Sequence, residues 1–150
     1  MPRKVKQDNE VEIYKEAARE HVTVAEEMYL TGRYVLAHYL SGLAVECILR
    51  AYQYRISSVF SGRHDLRALY NDAQLGTIVP TEDETQVSMA LLEVTRRWSN
   101  SHRYRSEAAL RLFLLRANLG RTGKFVRESS RKIVNAAATI VKIGVLQWNV

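Results

Sequence analysis

The sequence predicts an all-α protein, an antiparallel up-down bundle of four to six helices. Three observations carry this. Apolar residues recur at helical spacing over long stretches. Prolines and glycines are few, two and seven in 150 residues. The connections between the periodic stretches are short, which makes successive helices antiparallel neighbours. The length suits a single domain over 1–150 with one core, and residues 1–9 read as a flexible basic N-terminus.

The first helix is expected from about Glu10 to Leu30, where Val11, Tyr14, Ala18, Val22, Ala25 and Tyr29 share a face. Gly32 ends it. The second runs from Tyr34 to Ile56 on a stripe of Leu36, Leu40, Leu43, Ala44, Cys47, Ile48 and Ala51. Ser57 to Gly62 reads as a loop. A short third helix carries Leu66, Leu69, Tyr70 and Ala73, and Gly76 and Pro80 bracket the next loop. Thr81-Glu82-Asp83-Glu84 fits a capping box opening a fourth helix with Val87, Ala90, Leu91, Val94 and Trp98. Ser99 to Ser106 is a polar break. Ser106-Glu107 can cap a fifth helix with Leu110, Leu112, Phe113, Leu114 and Ala117. Gly120 and Gly123 mark a turn, and the last helix spans about Lys124 to Val145.

Charge is distributed unevenly. Residues 1–95 hold 10 basic and 14 acidic side chains, a net of −4, whereas residues 96–132 hold 11 basic and 2 acidic, a net of +9. A block of that kind attracts polyanions by steering and counterion release, or simply forms a solvated face. On the last helix Lys124, Arg127 and Arg131 fall opposite the apolar side and form a basic ridge.

Several classes are set aside. The single cysteine, Cys47, excludes an internal disulfide and a multi-cysteine zinc site, and reads as a buried core thiol. No run approaches the roughly 18 apolar residues of a membrane span, and no apolar segment follows the basic N-terminus as in a secretory signal. A cytoplasmic protein without membrane contact, metal or cofactor is the expectation. There is no phosphate loop, GxSxG or His-Glu-x-x-His. His38 and His21 read as packed helical histidines. Glu46 and Arg50 form an intrahelical pair, and His64 is expected to hold the loop before the third helix.

The stretch Arg96-Arg97-Trp98-Ser99-Asn100-Ser101-His102-Arg103-Tyr104-Arg105 is the densest in chemistry. Arginines neutralise phosphate, aromatic rings stack on bases, and a histidine can exchange a proton with a ribose 2′-hydroxyl. Arg33 and His38 share the Arg97–His102 spacing, but inside a helix start. The later pair differs by its position between helices and by Tyr104 after it.

These residues resemble the HEPN family (higher eukaryotes and prokaryotes nucleotide-binding domains). The resemblance rests on Gly32-Arg33-Tyr34 continuing to Ala44-Val45-Glu46-Cys47-Ile48-Leu49-Arg50-Ala51, on Gly62-Arg63-His64-Asp65-Leu66 with Arg63 inserted, and on Trp98 through Arg105. It spans about residues 15–145. The third piece aligns in two ways. In the ribonuclease branch Arg97, His102 and Tyr104 match Arg-x4-6-His followed by x-Tyr. That implies a metal-independent ribonuclease, often a toxin paired with a minimal nucleotidyltransferase antitoxin. Arg97 would stabilise phosphate, His102 would be the acid/base, and Tyr104 would stack or be modified. Arg96, Arg103 and Arg105 would hold RNA, with Glu46 as a supporting carboxylate. In the non-catalytic branch Trp98, Arg103 and Tyr104 carry the match, His102 is incidental, and the domain binds nucleotide, RNA or a partner. Both branches imply a homodimer with the junctions facing each other across the two-fold axis.

Overall fold

The computed structural model describes residues 2–57, 64–121 and 123–149, and the side chains of all of these except 2–8, 77 and 78. Helix α1 (Pro2–Leu30) and α2 (Tyr34–Ile56) form a long antiparallel hairpin. Two short helices follow, α3 (Leu66–Asp72) and α4 (Leu75–Ile78). Then come α5 (Thr81–Arg97), a 3-10 turn (Asn100–Tyr104), α6 (Glu107–Arg116) and α7 (Phe125–Leu146). Helix α2 is the central element, packed by α1, α7 and the 3-10 turn, and α5 lies against α7.

The α1–α2 hairpin closes over Thr31-Gly32-Arg33. Gly32 takes φ +78°, a conformation that costs glycine nothing. Arg33 N–H then reaches back to the Met28 carbonyl at 2.8 Å. The principal core runs between α1, α2, α5 and α7 through Ala18, Val45, Ile48, Leu49, Leu91, Val94, Ile133 and Ile140. Small residues allow close approach. A Cβ on Gly42 would lie 2.1 Å from the Trp98 ring, and Trp98 Nε1–H donates to the Tyr39 carbonyl at 3.2 Å. A second cluster of Val35, Leu110, Leu114 and Phe125 seats α6 on the starts of α2 and α7.

Several sequence expectations change. Helix α1 begins at Pro2 rather than Glu10 and covers the segment expected to be flexible; proline is well suited to a first helical turn. The Thr81–Glu84 capping box does not form, because Thr81 is already helical. The Pro80 carbonyl instead accepts from Glu84 N–H at 2.9 Å, and Glu82, Asp83 and Glu84 face the positive end of the helix dipole. The loop between Gly76 and Pro80 contains α4, held by fully buried Leu75 and by Val79. Tertiary burial outweighs the glycine there. Most of the loop expected at Ser57–Gly62, and Gly62 and Arg63 of the family-like element, lie outside the described residues. Cys47 is buried as expected, and burial pushes its thiol up to about 12.

Ser106 caps α6 as expected, accepting from Ala109 N–H at 3.2 Å. Glu107 does something that local pattern does not reveal. Its carboxylate accepts from Val35 N–H at 2.9 Å, and so caps α2, whose own N-cap residue Arg33 has no side-chain cap bond. Glu107→Ala is expected to cost about 1 kcal/mol and Glu107→Gln less, because the amide oxygen still accepts. The urea midpoint measures both.

Candidate functional site

The junction between α5 and α6 is built around His102. Ser99 breaks α5 in extended conformation, and its Oγ accepts from Ser101 N–H at 3.2 Å. His102 N–H donates to the Ser99 carbonyl at 3.0 Å, and Ser99 N–H donates to His102 Nδ1 at 3.2 Å. The imidazole therefore closes the turn it belongs to, and it is only 1% exposed. It packs edge-on against Phe113 at 4.7 Å and against His38 at 6.0 Å between ring centroids.

His38 is fully buried, as its reading as a packed histidine requires. Its Nδ1 lies 2.8 Å from the Tyr34 carbonyl, an acceptor only, so Nδ1–H donates. Nε2 is then the acceptor for the Ser129 hydroxyl at 2.9 Å. Burial pushes His38 down to about 3, with the Tyr34 carbonyl opposing and His102 and Arg97 adding to the fall. Burial, aided by Arg105, pushes His102 down to about 4. Both rings are neutral at pH 7. His102 Nε2 and Arg97 Nε have no hydrogen-bond partner among the described residues.

Arg97 closes α5 and is 4% exposed. One of its Nη groups donates to the Glu93 carboxylate at 2.5 Å and to the Glu93 carbonyl at 3.3 Å. Burial lowers its pKa while Glu93 opposes that. Arg96 and Arg97 line a pocket of about 390 Å³ with Arg121, Lys132, Glu93 and Glu128. Ser129 lines it too, connecting it to the His38 network. His102 and Tyr104 are not in its wall.

The remaining sequence-selected residues stand apart from that pocket. Tyr104 is 78% exposed, and the Arg103 guanidinium lies 4.6 Å from its ring centroid. Arg103 and Arg105 are exposed beside it. Lys124, Arg127 and Arg131 are exposed along the start of α7, and Arg127 hydrogen-bonds Tyr29, which strengthens its hold on its proton. Glu46 is buried, with His64 Nδ1 at 2.6 Å and Arg50 Nε at 3.6 Å. It lies about 12 Å along α2 from His38, and ties α2 to the start of α3. The loop-holding role of His64 is thus exercised through Glu46, while Asp65 caps α3 at 3.1 Å.

Arg121, Lys132 and Ser129 escaped sequence reasoning as site residues. Arg121 and Lys132 lie in the basic block, but only the fold brings them beside Arg97. Ser129 carries no local signal.

Fold and junction define a small helical-bundle protein with a cationic pocket beside an arginine-rich inter-helix turn. A family model for the HEPN domain matches residues 11–147, and the chain belongs to that family. No curated protein and no solved structure gave a match. No helix among the described residues is long and apolar enough to cross a membrane.

Proposed function

We propose that this HEPN-family protein is a non-catalytic module that binds RNA or nucleotide phosphate through its arginine-rich junction. In this reading it acts as a homodimer and partners a minimal nucleotidyltransferase. The burial of His102 is the observation that carries the reading. A general acid/base must reach the 2′-hydroxyl within hydrogen-bond distance and titrate near neutral pH. His102 is 1% exposed, has Nδ1 committed to Ser99, and is pushed down to about 4. Phosphate binding asks only for exposed cations and a ring to stack on. Arg96, Arg103, Arg105, Lys124, Arg127 and Arg131 supply the cations, and Tyr104 supplies the ring.

A metal-independent ribonuclease is the second reading, favoured by one observation. Among the buried polar atoms without a partner in the described residues are His102 Nε2 and Arg97 Nε, and both belong to the pair that such cleavage would employ. Arg97 would then stabilise the phosphoryl oxygens, and His102 would move the proton.

Binding is tested by fluorescence anisotropy with a labelled single-stranded RNA across a salt series. Each phosphate contact contributes about 0.7 to the slope of log affinity against log salt. Reversing Lys124, Arg127 and Arg131 together to glutamate is expected to weaken binding at least about tenfold and flatten that slope by about 2. Unchanged affinity and slope in this variant and in Arg103→Glu/Arg105→Glu would sink the reading.

A further inference from the structure

Basic residues far apart in sequence meet in the pocket between the end of α5 and the start of α7. Arg96, Arg97, Arg121 and Lys132 line it against two carboxylates, Glu93 and Glu128, a net of +2. Glu93 is shared by Arg97 and, more loosely at 4.0 Å, by Arg96. Arg121 and Lys132 are exposed and make no ion pair among the described residues. Arg97 is 4% exposed, and its Nε–H has no acceptor among the described residues. A buried guanidinium N–H without an acceptor is costly, and an anion in the pocket supplies one. Phe125 brings the first turn of α7 to the same wall. The N-cap residue of α7, Lys124, makes no side-chain cap bond, so the positive end of the helix dipole adds to the field.

Charge and size narrow the anion. A phosphate inside an RNA strand carries one negative charge and has chain on both sides. A terminal phosphate, esterified once, carries about −1.5 to −2 near pH 7 and presents three strong acceptor oxygens. A lining with a net of +2 matches the terminal group. The volume, about 390 Å³, lies near the lower end for ligand pockets and suits one nucleotide better than a strand running through. Arg103, Arg105, Lys124, Arg127 and Arg131, all exposed outside this pocket, are left for the internal phosphates.

We propose that this pocket holds the terminal phosphate of a bound RNA, a phosphomonoester clasped by Arg97, Arg121 and Lys132. The protein then distinguishes a phosphorylated RNA end from a hydroxyl end. The proposal rests on the RNA part of the reading above and narrows its ligand to RNA with a terminal phosphate.

Anisotropy with one internally labelled single-stranded RNA tests it. The RNA is prepared with a 5′-phosphate, with a 3′-phosphate, or with hydroxyls at both ends. At least one phosphorylated form is expected to bind about tenfold tighter than the hydroxyl form, or better. The double variant Arg121→Ala/Lys132→Ala is expected to lose that advantage while keeping most of its affinity for hydroxyl-ended RNA. Both positions are exposed, and helical circular dichroism verifies that the variant folds. Urea midpoints in inorganic phosphate, against chloride at equal ionic strength, give a readout without RNA. Phosphate is expected to raise the midpoint more in wild type than in the variant. Equal binding of all three RNAs would overturn the end preference and leave the RNA reading standing. An advantage that survives in the double variant, or equal midpoint shifts in the two proteins, would overturn the pocket as the phosphate site. A midpoint shift confined to wild type, without binding of any RNA, would overturn both RNA binding and the RNA end as the source of the phosphate.

Discussion

Replacing His102 by alanine is expected to destabilise the fold by about 3 kcal/mol, irrespective of any chemistry. The ring is 1% exposed and wedged between His38 and Phe113, so truncation leaves a cavity. It also removes the acceptor at 3.2 Å from Ser99 N–H, which closes the turn between α5 and α6. For a domain of this size the melting temperature should fall by about 10 °C. His102→Asn has an amide oxygen that can take over the acceptor role and should lose only about half as much. Urea unfolding at constant m-value measures both. An alanine variant within about 0.5 kcal/mol of wild type would show that the ring is not packed as described. The practical consequence is that lost activity in His102→Ala says little by itself, since a loosened junction also explains it. The asparagine variant is the informative one.

Acidification below about pH 6.5 should destabilise the protein through its buried histidines. His38 and His102 are held neutral, down to about 3 and about 4, against an ordinary 6.5 in the unfolded chain. Between those values the unfolded state binds more protons, so stability rises with pH and falls as pH drops. Stability is intact above about pH 6.5 and declines below it, levelling off beneath the folded-state values. At pH 5 each histidine accounts for about 2 kcal/mol, or about 4 kcal/mol for the pair. His21, also lowered by burial, acts in the same direction. That is a large part of the 5–15 kcal/mol typical of a domain. Urea midpoints at pH 7.5 and 5 test this, and His102→Asn should remove about half of the difference. A midpoint that does not move would mean that water reaches the rings and the histidines titrate normally.

Local pattern made the helices and most of their faces legible in the sequence. The extent of α2, the Ser106 cap and the α7 helix follow from periodicity and capping chemistry, which depend on near neighbours; the α2 stripe does not, because α2 is buried on nearly all sides and Leu36, Leu40 and Leu43 are only half-buried. The start of α1, the α4 turn and the Pro80 cap were not legible, because burial of Leu75 and Val79 is set by distant contacts. The site divides in the same way. The spacing of Arg97, His102 and Tyr104 is visible in the chain, but exposure is not. His102 is covered by Phe113 from α6 and His38 from α2. Arg97 turns back onto Glu93, and Tyr104 projects outward. Glu107 capping α2 and Ser129 bonded to His38 join residues far apart in sequence, and no spacing rule reports them.

A junction that binds and one that cleaves differ in what one assay reads. Labelled single-stranded RNA is incubated in EDTA with wild type and with His102→Asn, and bound and cleaved fractions are read from the same samples. Salt-sensitive binding by both proteins, with intact RNA in both, is the expected result. Fragments produced by wild type and absent with a folded His102→Asn would contradict it, and would make His102 the acid/base of a ribonuclease.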